Sequence, residues 1–438
     1  MKVLIVGRGG REHAITWAIA QSPRVEKLYC APGNGGIAAL AECVPIEEMD
    51  FAGIAAFAKE KSIDFVVIGP DDPLAAGIVD HLEAEGLKVF GPRKNAAEIE
   101  GSKAFMKELL RKYQIPTAAY ETFTSHDEAL AYLKTRPLPI VIKADGLAAG
   151  KGVIVAHTAE EAEAALASIM VTKAFGASGE KVVIEEFLEG QEMSLLAFVD
   201  GRTVRVMEPS QDHKPVFDED KGPNTGGMGT YSPLPHIDPA IIEEAIRTIV
   251  QPTADALVEE GRPFQGVLFA GLMLTSDGPK TIEFNARFGD PETQVILPRL
   301  ESDLLDILLA VAEGRLDESD IRWSDSAAVC VILASEGYPG SYPKGRTITG
   351  IEDAEWDALV FHAGTALAPD GESVATAGGR VLGVVGRGAD IAEARDRAYA
   401  AVARIRFEGA HHRSDIAAKA LAGIAAIEAA EAVEASEE

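Results

Sequence analysis

The chain has 438 residues, of which 47% are hydrophobic and 25% charged, a balance typical of globular proteins. This length allows about three domains. A formal net charge of −28 argues against nucleic-acid binding, because little positive charge is available to neutralise a phosphate backbone.

Membrane insertion and secretion are not expected from the sequence. No hydrophobic run approaches the ~20 residues that a membrane span requires. The chain leads directly into a strand, without the cleavage site of a signal peptide. The three cysteines, Cys30, Cys43 and Cys330, show neither metal-ligand spacing nor a disulfide framework. We therefore expect a cytoplasmic protein that does not bind membranes.

Residues 1–101 alternate strands with helices, which predicts a doubly wound α/β domain with a parallel sheet. In such a sheet, ligands bind beyond the carboxyl ends of the strands, here after Val6, Ala31 and Gly69. The predicted elements are strand 2–6, helix 11–21, strand 25–31, helix 51–61, strand 64–69, helix 74–85 and strand 88–91.

Residues 102–326 predict a second unit, and residues 327–422 a small third one, followed by an acidic Ala/Glu tail at 423–438. Within the second unit, Ser102 is a predicted helix N-cap. Residues 209–235 lack periodicity, and a loop of this length within a domain is usually functional. The other elements expected here include helix 103–113, strands 140–143 and 152–156, helix 239–260, and strands 266–275 and 280–284.

Three polar side chains share one face of the last of these strands. Glu283, Asn285 and Arg287 are two residues apart, so they point the same way. Carboxylate and amide oxygens suit magnesium, and a guanidinium suits phosphate. The sequence therefore predicts a magnesium and phosphate site at a strand end. The alternative is a solvent-facing strand of an antiparallel sheet.

The turn from Gly7 to Glu12 is similar to a dinucleotide-binding fingerprint but departs from it. Glu12 replaces the third glycine, and the acidic residue expected about 20 positions later is absent. The helix N-terminus at Gly9 and Gly10 can still bind a phosphate monoester, with a contribution from Arg11. A purely structural turn is the alternative.

The segment from Asp145 to Gly152 contains a glycine-rich turn that is too short for a P-loop. Strands on both sides predict a hinged flap over a triphosphate, with positive charge from Lys143 and Lys151. A lysine at a strand end can equally be a solvated surface group.

Two further segments carry polar groups. The linker after strand 182–187 can offer backbone groups to adenine, and Glu192 can accept from a ribose; an interdomain hinge is the alternative. In the 209–235 loop, Asp212 can hold an ammonium group, and the glycines at 226–229 allow close approach to a small ligand. The alternative is a surface excursion without a ligand.

In this order the motifs resemble the phosphoribosylamine–glycine ligase family of the ATP-grasp superfamily, over residues 1 to about 420. The resemblance implies an ATP-grasp core of two α+β lobes at 102–326, with the flap lobe at about 120–190, and a small C-terminal α+β domain. It implies de novo purine biosynthesis, in which glycine, 5-phosphoribosylamine and ATP give glycinamide ribonucleotide, ADP and phosphate through glycyl phosphate. The motifs are Gly9–His13, Ala31–Asn34, Gly101–Phe105, Val141–Val153, Ser210–Lys214, Pro223–Gly229 and Ile282–Glu292.

The resemblance also implies roles for individual residues, with Mg²⁺ or Mn²⁺ as the metal. The metal would be held by Glu283 and Asn285, and the catalytic residues would be Arg287, Lys143 and Asp212. ATP would be bound by Lys103, Lys143, Gly150, Lys151, Gly152, Glu185, Glu186, Phe187, Leu188 and Glu192. Glycine and phosphoribosylamine would be bound by Gly9, Gly10, Arg11, Glu12, Asn34, Asp212, Lys214, Asn224, Gly226, Gly227, Met228, Gly229 and Arg287.

Two departures from the family pattern concern charge. Arg8 stands where many relatives have Asn. The strand at 269–272, Phe-Ala-Gly-Leu, has no acid where many ATP-grasp enzymes place a third metal ligand, which argues against a second magnesium bound fully by protein groups. We expect a monomer or weak dimer, with transient contact to an upstream amidotransferase. The rival functions are a nicotinamide oxidoreductase, a non-catalytic nucleotide sensor and a different ATP-grasp ligase.

Overall fold

The computed structural model describes residues 1–147, 152–368 and 370–437. Gly150 and Lys151, both predicted to bind ATP, lie outside the described residues. Throughout those ranges, the helices are too short or too polar to cross a bilayer.

The N-terminal domain is built on a parallel five-stranded sheet with the order β3-β2-β1-β4-β5. The central strand is a continuous apolar run, as expected for a sheet covered on both faces, and Val3 to Val6 are fully buried. The predicted doubly wound domain is confirmed. Its strands are β1 (Lys2–Gly7), β2 (Lys27–Pro32), β3 (Glu42–Cys43), β4 (Phe65–Ile68) and β5 (Val89–Phe90).

The helices of this domain differ from prediction at two places, and one of them is α5 (Lys94–Gly101), which was not predicted. The single helix predicted at 74–85 is two helices, because Gly77 adopts a φ of +97° that a right-handed helix cannot contain. The helices are α1 (Gly10–Ile19), α2 (Phe51–Glu60), α3 (Asp71–Ala76), α4 (Ile78–Ala84) and α5 (Lys94–Gly101).

A small lobe with its own core follows. Its antiparallel sheet has the order β6-β9-β7-β8, and α7 and α8 contribute to the core that covers it. Ser102 caps the first helix as predicted, accepting a hydrogen bond from Phe105 N at 3.1 Å. The elements are α6 (Lys103–Lys112), β6 (Tyr120–Phe123), α7 (His126–Leu133), β7 (Ile140–Ala144), β8 (Val153–Ala156), α8 (Ala159–Met170) and β9 (Val182–Glu186).

The second lobe contains a long antiparallel sheet with the order β11-β10-β16-β17. The helix predicted at 239–260 is α9 and α10 joined by a π turn at Ile246–Val250. Its elements are β10 (Gln191–Asp200), β11 (Thr203–Val206), β12 (Gln211–Asp212), β13 (Pro215–Phe217), β14 (Lys221–Asn224), β15 (Gly229–Ser232), α9 (Pro239–Ala245), α10 (Gln251–Glu259), β16 (Gln265–Thr275), β17 (Gly278–Asn285), α11 (Glu292–Ile296) and α12 (Leu304–Ala312).

The segment 209–235 is more ordered than its sequence suggests. It forms β12 and β15, which pair with each other, and the β13–β14 hairpin. These strands have two to four residues, too few for an alternating pattern to be recognisable.

The C-terminal strands complete the same sheet, whose order is β12-β15-β18-β23-β20. This sheet spans the predicted boundary at 326/327, so the C-terminal strand β18 supports β12, which carries Asp212, through the intervening strand β15. The remaining elements are β18 (Ala327–Ala334), β19 (Thr347–Ile348), α13 (Ile351–Glu355), β20 (Leu359–His362), β21 (Thr365–Leu367), β22 (Val374–Thr376), β23 (Arg380–Gly388), α14 (Ile391–Val402) and α15 (Ala418–Glu437).

Candidate active site

A cleft of about 320 Å³ opens between the two α+β lobes, and most of the predicted site residues line it. The N-terminal domain contributes Asp71, at the start of α3. The predicted residues that line the cleft are Lys103, Lys143, Gly152, Glu185, Glu186, Phe187, Leu188, Glu192, Asp212, Lys214, Asn224, Gly226, Glu283, Asn285 and Arg287.

The oxygen ligands predicted for a metal lie at the end of β17. Glu283 pairs with Gly271 on β16, and a Cβ added to Gly271 would lie 3.2 Å from Cγ of Glu283. Within the described ranges, no cluster of three or more His, Cys, Asp or Glu side chains is arranged to hold a metal. The carboxylate of Glu283 and the amide of Asn285 nevertheless form a hard-oxygen pair that fits a divalent cation completed by phosphate and water oxygens.

Positive charge surrounds Glu283. Burial alone would raise the pKa of its carboxyl group, but Lys214, Lys143, Lys103 and Arg287 together hold it below its usual value. The carboxylate is therefore ionised at neutral pH, as a metal ligand must be.

Arg287 is held in place by an acid from a different element. Its Nη2 donates to Asn285 Oδ1 at 3.0 Å and lies 3.0 Å from Glu100 Oε1. Glu100, in the last turn of α5, also accepts a hydrogen bond from Ala286 N at 2.7 Å. It thus fixes both the strand end and the guanidinium. Sequence reasoning missed Glu100, because its spacing does not distinguish it from a surface acid.

Two lysines of the first lobe interact with the same carboxylate. Glu185 forms ion pairs with both Lys107 and Lys143. Lys107 is fully buried, and burial lowers its pKa to about 8 against the opposing effect of Glu185. Lys143 Nζ also donates to Ile282 O at 3.2 Å, so it joins the two lobes beneath the cleft. Lys107 was missed because a lysine within a helix is usually exposed.

Lys103 lies at the base of the predicted flap. Its Nζ donates to Gly146 O at 2.6 Å, and burial lowers its pKa. Asp145 accepts a hydrogen bond from Ala104 N at 3.1 Å, which ties the start of the turn to the start of α6. Gly152 O accepts from Ala144 N at 2.8 Å on the other side of the turn.

The linker between β9 and β10 forms another wall of the cleft. The backbone N–H of Glu186 is already used, since it donates to Ala119 O at 2.9 Å. The Glu186 side chain accepts from Ala119 N at 3.0 Å. Phe187 and Leu188 line the cleft beyond this pair.

A second buried acid, Asp212 on β12, also lines the cleft. The Asp212 side chain is only 3% exposed, and its Oδ2 lies 3.5 Å from Lys214 Nζ. Burial, together with repulsion from Glu292, raises the pKa of Asp212 to about 7 despite the lysine. Glu292, which sequence reasoning did not select, accepts from Ser194 Oγ at 3.2 Å. The acidic groups of Asp212 and Glu292 therefore favour binding of a cation in this part of the cleft.

The glycine-rich segment after β14 divides between cleft and interior. Gly227 has a φ of +118°, and a Cβ there would lie 2.5 Å from Asp212 Oδ1. Met228 is buried against Val216 and Ala334. Gly229 packs so closely that a Cβ would lie 2.6 Å from Cδ1 of Ile416. Met228 and Gly229 thus face the interior.

The residues predicted in the N-terminal turn lie outside this cleft lining. Arg11 Nε donates to Glu12 Oε1 at 2.6 Å, and Arg11 Nη1 donates to Phe288 O at 3.2 Å. Glu12 also accepts from Gly9 N at 2.7 Å. The bond from Arg11 to Phe288 attaches the turn to the segment that follows β17. Arg11 and Glu12 are both buried there.

Asn34 is committed to the backbone. Its Nδ2 donates to Arg8 O and His362 O, each at 2.8 Å, and its Oδ1 accepts from Gly36 N and Ile37 N, each at 3.0 Å. The bond to His362 O joins the N-terminal domain to the C-terminal one, and the other three stabilise the turn around Asn34.

Comparison with known proteins places this architecture in a family. Models of the phosphoribosylglycinamide synthetase family match along the chain: the N domain at 1–100, the ATP-grasp (A) domain at 101–293 and the C domain at 328–419. The phosphoribosylamine–glycine ligase of Halalkalibacterium halodurans is 54% identical, covering 96% of this chain and 98% of its own. That of Agrobacterium fabrum is 53% identical, covering 96% and 99%.

Solved structures agree. Phosphoribosylamine–glycine ligase from Thermotoga maritima superposes with a TM-score of 0.84 at 35% identity, covering 95% of this chain and all of its own. The biotin carboxylase domain of 2-oxoglutarate carboxylase from Hydrogenobacter thermophilus, at 18% identity and a TM-score of 0.70 over 94% and 91% of the chains, shares the fold.

The two lobes and the charged cleft between them define an ATP-grasp enzyme. The chain belongs to the phosphoribosylamine–glycine ligase family. The resemblance and the fold class predicted from the sequence are both confirmed.

Proposed function

We propose that the cleft activates glycine as glycyl phosphate and then transfers the glycyl group to the amine of 5-phosphoribosylamine. The chain is an ATP-dependent C–N ligase of purine biosynthesis, and its substrates are ATP, glycine and 5-phosphoribosylamine. The products are glycinamide ribonucleotide, ADP and phosphate.

One observation carries the residue assignment. Glu283, Asn285 and Arg287 line the same cleft as Lys103 and Lys143, although they come from opposite lobes. Cationic side chains that face a carboxylate and an amide oxygen suit a triphosphate with its bound metal. A nucleotide sensor or a nicotinamide oxidoreductase has no need of this combination.

ATP-grasp enzymes use a divalent metal, and we propose Mg²⁺ or Mn²⁺ in this chain. Glu283 and Asn285 would hold it, and the bound ion would supply charge neutralisation at the phosphates. We assign the adenosine to the linker at Glu186–Leu188 and to Glu192, with Glu185 and its lysines beneath.

In the first step, a carboxylate oxygen of glycine attacks the γ-phosphorus, and the bond to the β–γ bridging oxygen breaks to release ADP. Arg287, Lys103 and Lys143 stabilise the charge on the transferred group. Asp212, when ionised, holds the ammonium group of glycine, and Lys214 and Asn224 complete that end of the cleft. Glu100 keeps Arg287 in place.

In the second step, the amine nitrogen of phosphoribosylamine attacks the carbonyl carbon of glycyl phosphate, and the bond from that carbon to the phosphate oxygen breaks. Inorganic phosphate leaves, and the proton that the nitrogen loses is taken up by the phosphate. Water would hydrolyse this intermediate, so we propose that the turn between β7 and β8 closes over it. Gly150, Lys151 and Gly152 lie between β7 and β8 in the sequence. The sugar phosphate is assigned to Gly9 and Gly10 at the start of α1, with Arg11, Glu12 and Asn34 shaping the turn.

The same proposal covers the rest of the molecule. We propose an N-terminal domain at 1–101, an ATP-grasp domain at 102–326, a C-terminal domain at 327–422 and an acidic tail at 423–438. We further propose a cytoplasmic monomer or weak dimer that transiently contacts the amidotransferase supplying its labile amine.

A phosphate-release assay over a panel of carboxylic acids and amines tests the assignment. We expect ADP and phosphate in stoichiometric amounts only when glycine and phosphoribosylamine are both present. Faster turnover with another acid would instead indicate a different ATP-grasp ligase, and ATP binding without turnover would indicate a sensor.

A further inference from the structure

In the turn that follows β14, the backbone N–H and the carbonyl of Gly226 both form hydrogen bonds with the C-terminal domain. The N–H of Gly226 donates to Tyr338 Oη at 3.1 Å, and its carbonyl accepts from Arg380 Nη1 at 2.7 Å. Tyr338 follows β18, and Arg380 is the first residue of β23. Gly226 itself lines the cleft, although its two partners belong to the C-terminal part of the chain.

Arg380 also reaches the other side of the cleft end. Its Nη1 donates to Asp290 O at 2.8 Å, and its Nη2 lies 3.5 Å from Asp290 Oδ1. Asp290 belongs to the segment that leads from β17 through Arg287 to α11, and Gln294 Nε2 donates to its carboxylate at 2.8 Å. One guanidinium, 19% exposed, therefore bridges the glycine turn and the strand end.

The turn at Gly226–Gly227 packs closely against the buried carboxylate of Asp212. Gly227 approaches Asp212 so closely that a Cβ would lie 2.5 Å from its Oδ1 and also 2.5 Å from Cδ of Pro291. No side chain intervenes at Gly227, so a shift of the turn would move directly against the Asp212 carboxylate. The geometry of that carboxylate thus depends on where Gly226 is held.

We propose that Arg380, with Tyr338, is a positioning residue for ligation: from the C-terminal domain it holds the Gly226–Gly227 turn against Asp212 and thereby sets the glycine-binding end of the cleft. This inference rests on the proposed function, in which Asp212 holds the ammonium group of glycine. A small displacement at a reacting centre is sufficient to reduce turnover by ~100-fold, so a residue that makes no contact with substrate can control the reaction.

The test compares the two Michaelis constants in the full-length enzyme. Arg380→Gln keeps a polar side chain but is shorter and loses the charge and the forked donors. We expect its KM for glycine to rise at least ~10-fold while its KM for ATP changes by less than about twofold. We also expect ADP release to exceed product formation, because misplaced glycyl phosphate is exposed to water. Arg380→Lys restores the charge and should recover part of the glycine affinity.

Milder variants keep the test decisive if Arg380→Gln fails to fold. Tyr338→Phe removes only the hydroxyl that accepts from Gly226, and we expect a rise of roughly two- to fivefold in KM for glycine alone. Arg346→Ala, which breaks an exposed pair with Glu408 in the same domain, is the matched control and should leave both constants unchanged. Thermal unfolding of each variant separates stability from kinetics.

The outcomes distinguish a failure of this inference from a failure of the proposed function. Equal changes in both Michaelis constants, or a lowered Tm with normal KM for glycine in both Arg380→Gln and Tyr338→Phe, would overturn the positioning role. If Asp212→Asn raises KM for glycine and neither of those variants does, the positioning inference alone fails. If Asp212→Asn leaves KM for glycine unchanged, glycine has been assigned to the wrong end of the cleft.

Discussion

Nη2 of Arg287 lies 3.0 Å from Oε1 of Glu100, and this pair joins the strand end of the ATP-grasp domain to the helix that enters it. The Arg287 side chain is 17% exposed and that of Glu100 is 8% exposed, so water screens the pair only weakly. Since Glu100 also receives the N–H of Ala286, it fixes the backbone and the guanidinium together. The position of Arg287 is therefore set from outside the motif that contains it.

Glu100→Gln should impair catalysis and stability together. The variant keeps the shape of the side chain but leaves the buried guanidinium without its counter-charge, a loss of about 3 kcal/mol or more. We expect a lower kcat with little change in KM for ATP, and a lower midpoint of urea unfolding. Glu98→Gln, whose carboxylate pairs with Arg262 near the surface, is the matched control for the same helix. Unchanged kcat in Glu100→Gln would show that Arg287 does not need this partner.

Glu283→Gln should weaken metal binding and catalysis strongly and change the stability of the fold little. The amide keeps the volume of the side chain but loses the negative charge that would hold the cation. We expect kcat to fall at least ~100-fold, the scale of losing one preorganised electrostatic contact, and the metal concentration for half-maximal activity to rise. Glu121→Gln, at an exposed position on β6, should behave as the unaltered enzyme. Near-normal turnover in a magnesium titration of Glu283→Gln would contradict the metal assignment.

Glycine binding should depend on pH through Asp212. Its pKa is raised to about 7, mainly by burial, so the carboxyl group is largely neutral below that pH and ionised above it. Only the ionised form attracts an ammonium group. We therefore expect kcat/KM for glycine to fall by about tenfold per pH unit on the acid side of pH 7. Asp212→Asn should give a low profile without this step; a step that survives in the variant would belong to another group.

Arg11→Ala should raise KM for phosphoribosylamine and leave KM for ATP nearly unchanged, because Arg11 fixes the N-terminal turn. Arg11 pairs with Glu12 in the interior, so its loss also costs about 3–5 kcal/mol of stability. Arg8→Ala, which removes an exposed pair with Glu48, should cost at most about 1 kcal/mol. If Arg11→Ala folds and both Michaelis constants rise equally, the substrates have been placed in the wrong domains.

Sequence patterns predicted best where chemistry is local. The apolar run of β1 is fixed by neighbours in the chain, and the structure agrees with it. The strand predicted at 280–284 is present as β17, but its alternation is interrupted, because a register shift opposite Gly271 and Leu272 leaves Ile282 and Glu283 both half-buried. Gly271, which belongs to the strand noted for its lack of an acid, is the residue that pairs with Glu283 across the two adjacent strands. Gly77, in contrast, looked compatible with one helix, although its positive φ divides α3 from α4.

The strands at 209–235 and several charged residues of the cleft were not predictable in this way. β12 and β15 are strands because distant strands complete their sheet. Asp71, Lys107 and Arg380 look like ordinary surface residues in the sequence. They become part of the site, or of its support, because the folded chain buries them beside opposite charges.

The sequence by itself determined the order of elements, the parallel N-terminal sheet and the row Glu283, Asn285 and Arg287, because these follow from periodicity and from the residue types that metals and phosphates require. Only the tertiary structure decided what faces that row. Glu100 and Arg380 lie 187 and 93 residues from Arg287 in the chain, by subtraction of their numbers. Contacts over such separations arise from how separate elements pack, which no local pattern in a single sequence records.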